Sequence, residues 1–65
     1  MNWDTISGKW TELSGKVRSK WGKLTDDDLQ TIGGKKDILI GRLQQHYGFQ
    51  RDRAEREVDD FLRGL

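Results

Sequence analysis

Few residues in this chain could carry acid–base, metal or nucleophilic chemistry: one imidazole, His46; the carboxylates Asp26-Asp27-Asp28; the hydroxyls of Ser7, Ser14 and Ser19; and the step Gly33-Gly34-Lys35. Three consecutive Asp residues invite a calcium loop, in which spaced carboxylates and a closing bidentate group surround the ion. Aligned on Asp26, however, the turn position holds Thr31 in place of Gly and the closing position holds Asp37 in place of Glu. A phosphate loop of the Walker type needs a glycine five residues before its Gly-Lys pair and a hydroxyl after it; here those positions are Leu29 and Lys36. One His with no Cys leaves no imidazole–thiolate metal set, and without an evident orienting partner it completes no triad with the serines. His46 reads as a solvated or locally bonded side chain. No catalytic residue, metal ligand, cofactor or small-molecule substrate is expected, and the residues name no reaction.

What remains is electrostatic and interfacial. Lys9, Lys16, Lys20 and Lys23 recur at spacings that make a cationic stripe on a helix, and Trp3, Trp10 and Trp21 recur beside them. Such a face suits an anionic partner: a membrane surface, which takes amphipathic helices edged with lysine, or nucleic acid, whose phosphates meet lysine while bases stack on indoles. The chain's formal charge is only +1, but residues 1–23 hold five bases against two acids, while the remainder holds seven against nine. Nucleic-acid binding of that origin would be weak, sequence-blind and salt-sensitive.

These groups sit on elements that the apolar pattern defines. Trp3, Ile6, Trp10, Leu13, Val17 and Trp21 are spaced by three and four throughout, which predicts one helix over about 3–21 with a stripe about 80° wide. Gly8, Gly15 and Gly22 fall near the opposite side and cost a helix about 1 kcal/mol each relative to Ala. That helix is weak alone and must be held by what its tryptophans touch. Two readings follow: it docks on the rest of the domain with lysine stems covering the rim, or it orders conditionally on a membrane or another anionic partner.

Trp21 to Leu29 form a corner, in which Gly22 ends one segment and Thr25 with Asp28 resembles a capping box for the next, over 26–32. Acids at Asp26 to Asp28 suit the positive end of that helix, and Gly33-Gly34 stops it. The densest apolar run, Ile38-Leu39-Ile40 with Leu43 and Tyr47, predicts a central helix over 35–47 ended by Gly48. A last helix, 51–62, carries Ala54, Val58, Phe61 and Leu62 inward, with Gln50 as cap and Phe49 as a staple on Ala54. Its outer face offers pairs four apart, Arg51–Glu55, Asp52–Arg56, Arg53–Glu57, Arg56–Asp60 and Asp59–Arg63. The expected structural core is Trp3, Trp10, Leu13, Val17, Trp21, Leu24, Leu29, Leu39, Leu43, Tyr47, Phe49, Val58 and Phe61.

Sixty-five residues, 32% apolar and 35% charged, give one all-α domain spanning 1–65 with a small core. The absence of Cys fits a reducing compartment, and no run is long enough for a membrane span or the apolar region of a signal peptide; a cytoplasmic monomer is expected.

The spaced Trp and Gly residues of the first segment, Trp21-Gly22-Lys23-Leu24-Thr25-Asp26-Asp27-Asp28, Gly34-Lys35-Lys36-Asp37 running to Gly41, Gln44 to Gly48, and Ala54-Glu55-Arg56-Glu57-Val58 together resemble the CsbD-like family of small bacterial general-stress proteins. The resemblance runs through nearly the whole chain in order. It implies a four-helix domain of two roughly orthogonal helical hairpins and a protein that accumulates under stress without an assigned molecular role. It carries over no catalytic residue. Some relatives continue past the last helix with a charged, aromatic-containing tail, whereas this sequence ends at Leu65. The residues and the resemblance together suggest a hydrophilic protectant or adaptor that acts by surface contact, on stressed client proteins or anionic surfaces.

Overall fold

The unbroken periodicity of the first third of the chain does not produce one helix. In the computed structural model, which describes residues 2–65, α1 (Trp3–Gly8) and α2 (Trp10–Lys20) are separated by a break at Lys9, whose φ of −118° and ψ of 30° lie outside the helical range. The described residues therefore form five helices, not four, continuing with α3 (Asp26–Ile32), α4 (Lys36–Tyr47) and α5 (Arg51–Arg63). The break goes with docking, not with length. A straight helix of eighteen residues would be about 27 Å long, equal to the 27 Å longest extent of the molecule. Breaking beside Gly8, where the helix is cheapest to interrupt, lets α1 turn back so that Ile6 is fully buried. Lys9 serves both ends: its N–H donates to the carbonyls of Thr5 and Ile6, and its carbonyl accepts from Glu12 and Leu13.

The rear helices follow their local signals. Thr25 and Asp28 form the reciprocal capping box at the start of α3, and Gly33 ends it in the left-handed conformation at φ 53°. Gly48 ends α4 in the same way at φ 70°. The N-terminus of α5 differs from expectation, because the Gln50 side chain makes no capping hydrogen bond. Phe49 lies flat against Tyr47, with ring centroids 5.2 Å apart and 14° between the planes, and packs against the core cluster that includes Ala54. On the outer face of α5, Arg51–Glu55 and Arg53–Glu57 pair as expected at 3.0 and 3.9 Å, while Arg63 pairs with Asp60 and Asp59 reaches across to Lys36 at 3.6 Å.

α4 packs against both α3 and α5, and its buried residues Leu39, Ile40 and Leu43 share one face about 100° wide. Around it lie Ile6, Leu13, Val17, Trp21, Leu24, Leu29, Ile32, Ala54, Val58 and Phe61, all buried. Of the residues expected in the core, Trp3, Trp10, Tyr47 and Phe49 are half-buried at its edge. Ile6, Ile32, Ile40 and Ala54 join it beyond that set.

Candidate functional site

All three indoles point N–H groups at downstream elements. Trp3 Nε1 donates to the Gly34 carbonyl at 2.7 Å, Trp10 Nε1 to the Leu29 carbonyl at 3.1 Å, and Trp21 Nε1 to Glu57 Oε1 at 3.4 Å. Each ring thus buries area and satisfies its one polar atom on a different target: the α3–α4 turn, α3 itself, and α5. Trp3 and Trp10 also meet each other, tilted by 48° at 6.2 Å, and Trp21 meets Phe61 at 5.2 Å. Beneath Trp3 the backbone of α1 comes very close to Gly34. A Cβ at Gly34 would lie 3.2 Å from Ser7 Cα and 3.3 Å from its carbonyl oxygen, and φ there is +87°. Only glycine meets both conditions, the positive φ and the close approach.

The lysine stripe lies outside this seam. Lys9, Lys16, Lys20 and Lys23 are all exposed, and among the described residues none of the four is ion-paired. Lys23 is engaged otherwise: its Nζ stands 5.0 Å from the centre of the Tyr47 ring and its backbone N–H donates to Tyr47 Oη at 3.2 Å. With Arg53 over Phe49 at 4.6 Å, the stack runs Lys23, Tyr47, Phe49, Arg53 and ties the α2–α3 corner to the α4–α5 junction. Lys9, Lys16 and Lys20 remain as cations directed to solvent.

His46 has a partner that the sequence did not reveal. Its Nε2 lies 2.7 Å from Asp28 Oδ2, the oxygen that also accepts the Thr25 N–H at 2.9 Å, and Arg42 Nε approaches Asp28 Oδ1 at 3.7 Å. The Thr25 N–H holds the Asp28 carboxyl below its ordinary value of 3.8; burial opposes this, while the Thr25 hydroxyl and His46 reinforce it. Asp28 thus both caps α3, through the Thr25 N–H, and joins α3 to α4, through His46 and Arg42. The Thr25 hydroxyl beside the carboxyl is taken up in the cap, accepting from the Asp28 N–H at 3.1 Å, and Asp26 pairs with Arg18. Among the described residues no group of His, Cys, Asp and Glu could hold a metal ion. A shallow cleft of about 300 Å³ between α2 and α3, lined by Trp10, Thr11, Ser14, Leu29 and Gln30, contains no titratable side chain.

This arrangement defines a class: a small helical domain whose front segment is held by tryptophan and whose outer side carries unpaired lysines, with no metal-holding group among the described residues. No described helix is long and apolar enough to cross a membrane. The chain belongs to the CsbD-like family of small bacterial general-stress proteins, whose sequence profile matches residues 4–56. It is 54% identical over 61 residues to UPF0337 protein PA4738 of Pseudomonas aeruginosa, a match covering 94% of each chain. It is 52% identical over 61 residues to UPF0337 protein YjbJ of Escherichia coli K12, covering 94% of this chain and 88% of that one. It is also 54% identical along its full length to UPF0337 protein XAC4007 of Xanthomonas axonopodis pv. citri, covering 94% of the latter. None of these names denotes an enzyme.

Proposed function

We propose that this protein is a non-enzymatic member of the bacterial general stress response that acts by surface contact, as a hydrophilic protectant or adaptor, with Lys9, Lys16, Lys20 and Lys23 as its contact side. One observation carries the reading: the front segment directs every indole N–H inward while its lysines remain exposed and free of carboxylate partners. A side of that kind meets anionic surfaces of proteins or membranes without a shaped pocket, and screening by salt weakens the contact. The same observation favours surface contact over base stacking on nucleic acid, because Trp21 is only 2% exposed and Trp3 and Trp10 are packed against the core. The setting is cytoplasmic and the acting species a monomer.

Drying or heating a labile client protein or an anionic vesicle tests this reading. The protein limits aggregation or leakage more than an inert protein of matched size, and the combined variant Lys9→Gln, Lys16→Gln, Lys20→Gln, Lys23→Gln loses part of that protection. Equal damage with the inert protein overturns it. Saturable one-to-one capture of a single partner, insensitive to those substitutions, points instead to a dedicated binding module.

A further inference from the structure

The break at Lys9 contradicts the sequence around it, and that contradiction has a use. Nothing in the sequence requires an interruption: the apolar spacing runs through residues 3–17 without a change of phase, there is no proline, and Lys9 keeps a negative φ. The interruption also leaves hydrogen bonds unmade. Among the described residues no backbone acceptor takes the N–H of Trp10 or Thr11, while an unbroken helix would give them the carbonyls of Ile6 and Ser7. What holds the broken form is therefore docking: the burial of Ile6, the Trp3 N–H on the Gly34 carbonyl, and the close seat of Ser7 on Gly34.

We propose that residues 3–20 have a second, undocked state in which α1 and α2 join into one amphipathic helix lying in the interface of an anionic lipid bilayer. The proposal rests on the lysine side being the contact side, as argued above, and adds the partner and the conformational change. In the joined helix Trp3, Ile6, Trp10, Leu13 and Val17 share about 80° of arc, Lys9, Lys16 and Lys20 lie together along one edge, and Asp4 and Glu12 fall outside the stripe. That is the layout of an interfacial helix, with apolar groups at the acyl boundary and lysines reaching anionic headgroups. The indoles are suited to the change, because they exchange the carbonyls of Gly34 and Leu29 for the mixed polarity of the headgroup region. A bilayer accommodates the whole stripe and the lysines; a nucleic acid would take the lysines and the indoles but leave Ile6, Leu13 and Val17 in water. Docking and lipid binding compete for the same apolar side chains, so apparent affinity is set by the fraction undocked.

Gly34→Ala separates the two states without touching the segment that would meet lipid, since the added methyl strains φ +87° and crowds the Ser7 backbone at 3.2–3.3 Å, pushing α1 off its seat. Sedimentation with vesicles of phosphatidylglycerol and phosphatidylcholine at low salt should show weak binding by the natural chain and about tenfold tighter binding by the variant, with none to phosphatidylcholine alone. Hydrogen exchange of the natural chain should show the Trp10 and Thr11 amides slowing on the anionic vesicles, the mark of the closed break, and this measurement decides the matter by itself if the variant does not fold. Vesicle binding with those two amides unchanged overturns the proposal and leaves contact through the docked surface standing. Absence of binding by either chain, or tighter binding of the variant to an oligonucleotide but not to vesicles, also overturns it, while the client-protein assay independently decides the surface-contact reading.

Discussion

The front of the molecule, α1 and α2, and its rear, α3 to α5, are helical for different reasons. α3 has a reciprocal capping box, α3 and α4 end on left-handed glycines, and α4 packs against both α3 and α5. In the front, α2 starts on Lys9 without a side-chain cap and Gly15 sits in its middle. There the fixing contacts are remote, between 19 and 36 residues along the chain, through three indole N–H groups. α1 does carry a local cap, Asn2 accepting from the Thr5 N–H, and α4 and α5 start without one. The difference lies in the capping box of α3, the glycine stops of α3 and α4, and the remote indole contacts of the front. The proposed release of the front requires it to open at lower free energy than the rear, as regions with few local supports do, while Ile6, Leu13 and Val17 leave the core with it.

The contrast is broken most strongly at Trp21, the one indole buried fully enough to belong to both regions, at 2% exposed and against Phe61. Trp21→Ala should destabilise the whole domain by about 3–5 kcal/mol, close to all the stability so small a protein has. Thermal melting by circular dichroism checks this, and an unchanged midpoint would mean that the corner does not couple the halves. Next comes the rear's own joint. Asp28→Ala removes the capping box and the partner of His46, and should cost about 1–2 kcal/mol at neutral pH. The sign with pH follows from the carboxyl being held below 3.8 in the fold. Its contribution is complete above that value and lost as pH falls through the lower folded value. Denaturation profiles of the natural chain and the variant should therefore converge in acid; a gap that persisted undiminished would assign the stability to something other than the carboxylate.

Trp3→Phe is the corresponding cut in the front. It keeps a ring at the edge of the core but removes the donor to Gly34, with an expected loss of about 1 kcal/mol. The consequence should be local. Exchange protection falls in α1 and around Lys9 and remains unchanged in α4, as measured by hydrogen exchange. Equal loss in both would show that the molecule opens as one unit and that the front is not separately releasable.

The same division governs what could be read from the sequence. The capping box at Thr25 and Asp28 and the stops at Gly33 and Gly48 were legible because each is decided within four residues. The break at Lys9 was not, because no residue there forbids a helix and the contacts that hold the broken form, Trp3 and Ser7 on Gly34, lie about thirty residues away. The partner of His46 lies 18 residues away. Trp3 and Trp10 are met by backbone carbonyls, which every residue has and which leave no mark on the sequence. Gly34 appeared to be only a helix boundary, yet its second role, making room for Ser7, comes from a segment 27 positions earlier. The lysine spacing was legible, but that Lys23 lies over Tyr47, apart from the other three, depended on tertiary placement.

The smallest expected effect is the most discriminating. Gly15 lies inside α2 and Gly41 inside α4, and a methyl group added at either would meet nothing within 4 Å. Replacing each by Ala removes the entropic cost of a helical glycine and should stabilise by about 0.5–1 kcal/mol, because neither position has a backbone conformation or a neighbour that penalises the methyl. Measured by global melting, the two substitutions should be nearly equal, since both helices form in the native state and neither forms in the unfolded one. Measured by exchange in the native state, they should differ. If the front opens by itself, Gly15→Ala stabilises α2 in any state where that segment remains helical, including one released from the core, whereas Gly41→Ala acts only through the rear. The first should slow exchange at α2 amides whose opening unwinds the helix and leave the docking of α1 unchanged; the second should leave both front measurements where they were. Identical exchange patterns for the two variants would mean that front and rear share a single opening, and the difference between rear and front would then have no thermodynamic content.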